Sequence, residues 1–383
     1  MGKKNVISAT ICLVAALTIA AVTGKNFMDI KKPDTLYPSA NVTETKMLSD
    51  YFGDLKGTYG DTPVYVFKGS KPGGSMLLLG GTHPNEPAGY LAAVTFLENV
   101  KVDQGTVYVI PRACNSGFTN NDAQEASPQY LHITNKNGQV RQFRYGSRAA
   151  NPVDQWPDPD VYIHAGSGQQ LSGSETRNLN RSYPGKPDGN LMEKTAYAIV
   201  QLIDKEGVNL TFDLHESSPE YPVNDATVAH EKSMDFAAQG MLELEMEGIT
   251  MSLEPSPTNL HGLSHRELGD YTDTYPILME APNASQGRLR GATNEEMALT
   301  GKDKFYVSAA KQGFLYVPYD ETGHPIEERV GRHLQGIIEY TKAFSSIHSD
   351  KVVSFENVPG YEEMFTDADP SQLGGSHLGS FLN

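Results

Sequence analysis

The chain has 383 residues, 38% of them hydrophobic and 20% charged, so it can form one sizeable core or two smaller ones. Its formal net charge is −16, from 31 Lys and Arg against 47 Asp and Glu. Such a surface repels phosphate groups, and no basic cluster with interleaved aromatic residues opposes this, so nucleic acid is not an expected partner. The two cysteines rule out a disulfide framework in the body of the protein.

The first two dozen residues differ from the rest of the chain. Lys3 and Lys4 precede an uncharged stretch whose apolar core is Val6–Val22. Positive residues followed by this length of apolar chain indicate a secretory signal or a single membrane anchor, whereas a buried helix would usually show a polar face. We therefore expect residues 1–25 to be a signal peptide or an anchor. The body is then exported and reaches the membrane only through this segment.

After a polar lead-in at residues 26–62, strand-like and helix-like segments alternate. The predicted strands are 63–69, 75–81, 106–112, 208–215 and 274–280. The predicted helices are 87–100, 191–207 and 328–344. Apolar strands that alternate with helices indicate an α/β fold with a mixed, mostly parallel sheet and helices on both faces. We expect a catalytic domain at 63–345 and a peripheral tail at 346–383.

A long stretch rich in Asn, Gln, Ser, Gly and Pro occupies residues 114–176. A loop of this length within a compact domain is usually functional or disordered, and we expect it to form walls of a pocket. Cys114 at its start is a possible nucleophile, but a lone cysteine of this kind is more often simply packed in the core.

Side chains suited to chemistry lie at the ends of three of the predicted strands. His83 and Glu86 lie in the turn "GGTHPNE", His215 follows "NLTFDL", and Glu280 ends "YPILM". Ligands bind at the carboxyl ends of strands in open α/β sheets, and two imidazoles with a carboxylate suit a catalytic Zn²⁺ that keeps a fourth position for water. We therefore expect one Zn²⁺ per chain at His83, Glu86 and His215. Alternatively, the turn merely caps a helix, with Glu86 near its N-terminus.

A further motif, "NLNRSYPG", occupies residues 178–185 and contains Asn180 and Arg181. Gly-Gly-Thr-His-x-x-Glu, then Asn-Leu-Asn-Arg-x-Tyr-Pro-Gly, then Asp-Leu-His, in this order, resemble the succinylglutamate desuccinylase/aspartoacylase family of zinc carboxypeptidase-like hydrolases. The resemblance covers residues 60–345. It implies a three-layer, zinc carboxypeptidase-like fold and a zinc-dependent deacylase that acts on a small carboxylate-bearing substrate.

The same resemblance implies roles for individual residues. His83, Glu86 and His215 match the family's zinc ligands, while Asn180 and Arg181 match the pair that binds a substrate carboxylate, a task that suits the planar guanidinium group.

Two more residues match catalytic positions of the family. Glu280 matches the general base, and Arg177 matches the arginine that polarises the scissile carbonyl. The chain also departs from the family's pattern, since Asn178 stands where Asp is common and cytosolic members have no membrane segment. The second departure places the usual amino-acid catabolic substrates in question.

Several other residues could support the site. Asp213 lies two residues before His215, on the same face of the strand, and could orient a ligand. The pocket could also be lined by His261, His265, Arg288 and Arg290. Ser217 and Ser218 follow His215, but the chain has no Gly-x-Ser-x-Gly nucleophile elbow that would support a serine hydrolase.

Three functions are compatible with these residues. The first is a zinc-dependent deacylase that cleaves an amide or ester bond of a small carboxylate-bearing N-acyl substrate. The second is an exported zinc carboxypeptidase that acts on peptides or cell-envelope material. The third is a binding module without activity, against which the complete set of ligands and the base argue.

Overall fold

The computed structural model describes residues 2–122, 127–365 and 377–383. Parts of two predicted segments therefore lie outside the described residues, namely 123–126 of the long polar stretch and 366–376 of the C-terminal tail.

The described chain contains strands and helices throughout. The strands are β1 (Glu44–Met47), β2 (Pro63–Lys68), β3 (Lys71–Leu79), β4 (Lys101–Ile110), β5 (Tyr130–Thr134), β6 (Val140–Arg144), β7 (Val161–Ile163), β8 (Gln170–Ser172), β9 (Leu210–Ser217), β10 (Ala226–Ala229), β11 (Ser252–Pro255), β12 (Tyr275–Pro282) and β13 (Ser354–Glu356). The helices are α1 (Lys3–Asp29), α2 (Pro87–Asn99), α3 (Leu191–Glu206), α4 (Met234–Met246), α5 (Ser264–Tyr271), α6 (Glu295–Thr300), α7 (Lys304–Lys311), α8 (Ile326–Ile347), α9 (Tyr361–Met364) and α10 (His377–Ser380).

A nine-stranded mixed sheet forms the centre of the domain. Its order is β1-β2-β4-β3-β9-β12-β10-β11, with β13 beside β4. The four strands β4, β3, β9 and β12 run parallel, and antiparallel pairs with β2 and β10 flank them. The carboxyl ends of the four parallel strands therefore meet at one edge of the sheet. His83 and Glu86 follow β3 there, while His215 and Glu280 lie in the last residues of β9 and β12.

Both faces of the sheet are covered by helices. Successive side chains of β3 alternate, so that Met76 and Leu78 join a core with α2, α4 and α8, while Leu77 and Leu79 join a second core with α3 and α5. This explains why the strand is a continuous apolar run rather than an alternating one. The predicted α/β fold, a mixed sheet between two helical layers, is confirmed.

Every predicted strand and helix overlaps an observed element of the same type. The stretch 114–176, however, is more than a loop, because it contains the hairpins β5–β6 and β7–β8. The short strand β10, the edge strand β11 and helix α4 were not predicted.

The N-terminal helix α1 stands apart from both cores. None of its 27 residues is buried, and its length and composition are sufficient to cross a membrane. The alternative of a helix buried within the protein is therefore wrong. The helix is compatible with a signal sequence or an anchor.

Candidate metal centre and active site

The turn after β3 depends on glycine. Gly81 has a φ of 61°, in the left-handed region that favours glycine. A Cβ at Gly81 would also lie 2.7 Å from the ring of Phe118. The chain can therefore turn sharply here and place His83 over the end of the sheet.

A second glycine brings helix α2 against strand β9. A Cβ at Gly89 would lie 2.3 Å from the backbone oxygen of Leu214, so only glycine allows this approach. The approach matters because Glu86 immediately precedes α2 and His215 follows Leu214 along β9. Close packing of helix on strand thus brings these two side chains together.

His83, Glu86 and His215 form a buried cluster. His83 Nδ1 lies 2.8 Å from Glu86 Oε1, His215 Nδ1 lies 3.0 Å from Glu86 Oε2, and the two Nδ1 atoms are 3.1 Å apart. Atoms bound to one tetrahedral Zn²⁺ at about 2.0–2.2 Å are roughly 3.3–3.6 Å apart, so small outward shifts would accommodate the ion. The three side chains can therefore hold a metal ion.

An oxygen lies close to the far side of each imidazole ring. His83 Nε2 is hydrogen-bonded to Asn178 Oδ1 at 2.9 Å, and His215 Nε2 lies 3.0 Å from Asp213 Oδ2 as an ion pair. Thr82 Oγ1 in turn donates a hydrogen bond of 2.7 Å to Asp213 Oδ1. A negative or accepting oxygen near Nε2 favours the proton on that nitrogen and leaves the Nδ1 lone pair for a metal. Asn178, which departs from the family's Asp, still supplies such an acceptor.

The charges of the cluster favour a cation. Burial lowers the pKa of His83 to about 4, so this ring is neutral at neutral pH. Burial alone would lower the pKa of His215, but Asp213 and Glu86 outweigh it and raise this pKa well above the ordinary value. Glu86 shows the reverse balance, because the two histidines hold its pKa well below the usual range despite burial. A positive charge is thus stabilised where a metal would bind.

The contacts of Glu86 do not support the alternative that it only caps a helix. Glu86 is the N-cap residue of α2, yet its side chain makes no capping hydrogen bond to that helix. It instead faces the two histidines and accepts a hydrogen bond of 3.1 Å from the backbone N–H of Glu216.

Glu280 lies beside this cluster. It pairs with His215 across the parallel strands β9 and β12, and adjacent strands are about 4.8 Å apart. Its Oε2 is buried and has no hydrogen-bond partner among the described residues. Burial raises the pKa of Glu280 to about 8. A carboxyl group with a pKa near neutral can both accept and return a proton.

A cavity of about 730 Å³ opens over the cluster. Asn180, Arg181 and Glu280 line it together with His83, Glu86 and His215. Asn180 is buried, and its Oδ1 accepts a hydrogen bond of 2.8 Å from the backbone N–H of Ser264. The structure therefore brings six of the seven predicted site residues to one cavity.

Arg177 is the exception. Its guanidinium group forms two hydrogen bonds with the carboxylate of Asp158, of 2.7 and 3.0 Å, and another of 2.9 Å with the backbone oxygen of Ala150. It does not belong to the residues that line the described cavity. These contacts hold the guanidinium group of Arg177 away from the cavity.

Arg148 reaches the cavity instead, and no sequence motif indicated it. Its Nη1 lies 2.9 Å from Glu86 Oε1, and its side chain is 41% exposed. The backbone N–H groups of Ser147 and Ala150 donate to Gly117 and Arg177, so the loop on either side of Arg148 is held in place.

The remaining candidates divide between the cavity and its surroundings. His265 lines the cavity and is buried with Nδ1 2.8 Å from Ser256 Oγ, while Arg288 lines it with an exposed side chain. His261 lies 2.8 Å from Glu267 Oε1, and Arg290 donates to the backbone oxygen of Ser285; neither lines the described cavity.

Cys114 is packed in the core, as expected. It is buried with Sγ 3.7 Å from the sulfur of Met192, and burial raises the pKa of its thiol to about 12. A thiol with so high a pKa is a poor nucleophile at neutral pH.

No family model and no curated protein matches the chain. It is similar to the solved structure of a succinylglutamate desuccinylase from Silicibacter sp. TM1040, with 16% identity over 57% of this chain and 53% of that chain and a TM-score of 0.35. A product-bound ectoine utilization protein from Ruegeria pomeroyi shares 19% identity over 57% and 53%, with a TM-score of 0.37. A tripeptide-bound cell shape determinant protein from Helicobacter pylori shares 14% identity over 81% and 58%, with a TM-score of 0.43.

The chain thus matches little more than half the length of each of these structures. Similarity at these identities and TM-scores does not indicate the activity of the chain. The resemblance to the succinylglutamate desuccinylase/aspartoacylase family depends on the chain's own motifs. One of the solved structures similar to the chain is a succinylglutamate desuccinylase.

Proposed function

We propose that the protein is a zinc-dependent hydrolase that cleaves an amide or ester bond of a small carboxylate-bearing N-acyl substrate. The observation that carries the proposal is the buried group of His83, Glu86 and His215 beside an unpartnered carboxylate oxygen of Glu280, in a cavity that also contains Arg181. A metal site, a base and a cation that can bind a carboxylate are the parts that this reaction needs.

His83, Glu86 and His215 would hold the metal. When bound, Zn²⁺ polarises a carbonyl group and lowers the pKa of a water molecule. Glu280 would take the proton of the attacking water and return it to the leaving group, since its raised pKa suits both transfers.

Arg181 and Asn180 would bind the substrate's carboxylate. Arg181 is held by a hydrogen bond of 2.6 Å from Nη1 to the backbone oxygen of Asn180. Burial and the nearby Arg148 both lower the pKa of Arg181, so the charged form of Arg181 is disfavoured in the empty cavity. A substrate carboxylate bound to Arg181 would stabilise this charged form.

Arg148 would stabilise the oxygen on which negative charge develops. We expect Arg148→Ala to lower kcat by roughly 10²–10³, as loss of one such donor does in other hydrolases. Zinc content should stay unchanged, because Arg148 contacts the ligand Glu86 without belonging to the cluster. Steady-state kinetics together with metal analysis measure both quantities.

Arg177→Ala is the matched control for this experiment. Its guanidinium group is committed to Asp158, so we expect some loss of thermal stability but a kcat close to that of the wild type in the folded protein. A larger loss of kcat in Arg177→Ala than in Arg148→Ala, at equal melting temperatures, would return the catalytic role to Arg177.

One observation favours the alternative of a zinc carboxypeptidase. The cavity of about 730 Å³ lies within the range of roughly 300–1,000 Å³ that accommodates drug-sized ligands, so a short peptide has room as well. A panel of N-acyl amino acids and of longer peptides, assayed at equal enzyme concentration, separates the two activities. Release of the amine from the small substrates supports the deacylase, and release of C-terminal residues supports the carboxypeptidase. Turnover of neither class would leave a binding module.

We also propose that the body of the protein lies outside the cytoplasm, tethered or released by α1. The exposed apolar surface of Val6–Val22 supports this, because such a surface is unfavourable in water. In intact cells, added protease should reach a tag placed on an exposed loop of the domain. Protection of the tag until the cells are lysed would place the body in the cytosol and contradict the proposal.

A further inference from the structure

Five glutamates line the cavity, and they differ in their partners. Glu86 belongs to the metal cluster, Glu216 pairs with the buried Arg329, and Glu220 accepts hydrogen bonds from the hydroxyl of Tyr306 and the backbone of Arg288. The other two are Glu254 and Glu280. Their side chains make no hydrogen bond or ion pair with any residue that the structure describes. Glu280 has a place in the proposed mechanism, whereas Glu254 has none.

The strand register places Glu254 on the cavity face of the sheet. Glu254 on β11 pairs with Val228 on β10, and Val228 pairs with Leu278 on β12. Residues paired across a sheet project to the same face. Since Val228 and Leu278 both line the cavity, the side chain of Glu254 lies along the same wall.

This wall connects Glu254 to the catalytic end of the cavity. Leu278 lies two residues before Glu280, on the same face of β12. Two strand spacings and one two-residue step separate Glu254 from Glu280, which corresponds to roughly 12 Å between their Cα atoms. Val228 and Leu278 supply apolar surface between the two carboxylates.

The charged groups of the cavity therefore occupy different places. Arg148, Arg181 and the exposed Arg288 supply positive charge, and Glu254, whose side chain has no ion-pair partner among the described residues, supplies negative charge at the edge strand of the sheet. Glu254 is half-buried beside apolar side chains, where less water screens its charge, so a cation from a ligand would be attracted to it. The apolar wall in turn fits the methylene groups of an extended side chain.

We propose that Glu254 binds a cationic group, such as an ammonium, at the end of an aliphatic stem of the substrate. The substrate then carries both a carboxylate, bound at Asn180 and Arg181, and a cation at the end of an aliphatic chain. This inference rests on the proposed hydrolase function of the same cavity, and it makes Glu254 a determinant of specificity that takes no part in bond cleavage.

Nα-acetyl-lysine and Nα-acetylnorleucine test the inference, since they differ only by the terminal ammonium. We expect the wild type to prefer the lysine compound by about tenfold or more in kcat/KM, as a hydrogen bond between charged groups implies. Glu254→Gln should abolish this preference, mainly through KM, without changing zinc content or hydrolysis of the norleucine compound. Glu254→Lys should reverse it. The exposed Glu245, on α4 and outside the cavity lining, gives the control variant Glu245→Gln, which should behave as the wild type.

Binding of free lysine and norleucine is measured by calorimetry on the same zinc-loaded proteins. It tests the role of Glu254 separately from the proposed hydrolase function. If the wild type and Glu254→Gln both hydrolyse the acetyl compounds with the same preference between the two, the role of Glu254 is wrong and the hydrolase function stands. Absence of hydrolysis with tighter binding of lysine that depends on Glu254 would overturn the hydrolase and leave Glu254 standing. Equal or absent binding of the two amino acids without hydrolysis would overturn both.

Discussion

Glu280→Gln is expected to lower kcat by roughly 10²–10⁴, the contribution of general acid–base catalysis. The amide keeps the size of the side chain and removes its ability to accept a proton. Zinc content should remain at one per chain, because Glu280 lies beside the metal cluster and is not one of its three members. KM should change little, since the loss falls mainly on the transition state.

A cavity carboxylate with other partners provides the control. Glu220→Gln makes the same chemical change, but Glu220 bonds to the hydroxyl of Tyr306, so kcat should stay near that of the wild type. If Glu280 were only structural, Glu280→Gln would unfold more easily and keep its specific activity. Glu216 and Glu267 would then be the remaining carboxylates to examine, although Glu216 pairs with Arg329 and Glu267 accepts a hydrogen bond from the backbone of Gly262.

His215→Ala is expected to abolish stoichiometric zinc and, with it, turnover. The substitution removes one of the three converging ligand atoms and leaves Asp213 buried without its imidazole partner. Two ligands do not make a catalytic zinc site, which uses three protein ligands. Metal analysis of the purified protein measures the loss.

A second buried histidine of the same cavity controls for effects on folding. His265 lines the cavity and contacts Ser256, outside the cluster of His83, Glu86 and His215. His265→Ala should therefore retain one zinc per chain. Full zinc retention in His215→Ala, or equal loss in both variants, would contradict the assignment of His215 as a ligand.

The sequence was sufficient to predict the centre of the fold. Apolar runs such as Met76–Leu79 identify strands that are covered on both faces, and the side chains at their ends meet because parallel strands share one edge. The short edge strands lack this pattern: "SLEP" of β11 has one large apolar residue, and its pairing with β10 depends on tertiary contacts. For this reason the position of Glu254 could not be predicted.

The same distinction applies to the site. His83, Glu86 and His215 lie in short motifs at the ends of predicted strands, so their convergence could be anticipated. Arg148 lies in a loop without periodicity, and its position depends on backbone hydrogen bonds to residues about 30 positions away in either direction. The polar stretch likewise gave no indication that Asp158 would bind Arg177.

Titration of metal-free protein with Zn²⁺, followed by hydrolysis of the substrate panel, is the most direct test of whether the protein is a zinc-dependent hydrolase. Activity should be absent at first, rise in proportion to added zinc and reach a plateau at one equivalent per chain. Hydrolysis at the full rate before zinc is added would show that the reaction does not depend on zinc. A fully zinc-loaded protein that hydrolyses no member of the panel would show that the protein is not this kind of hydrolase.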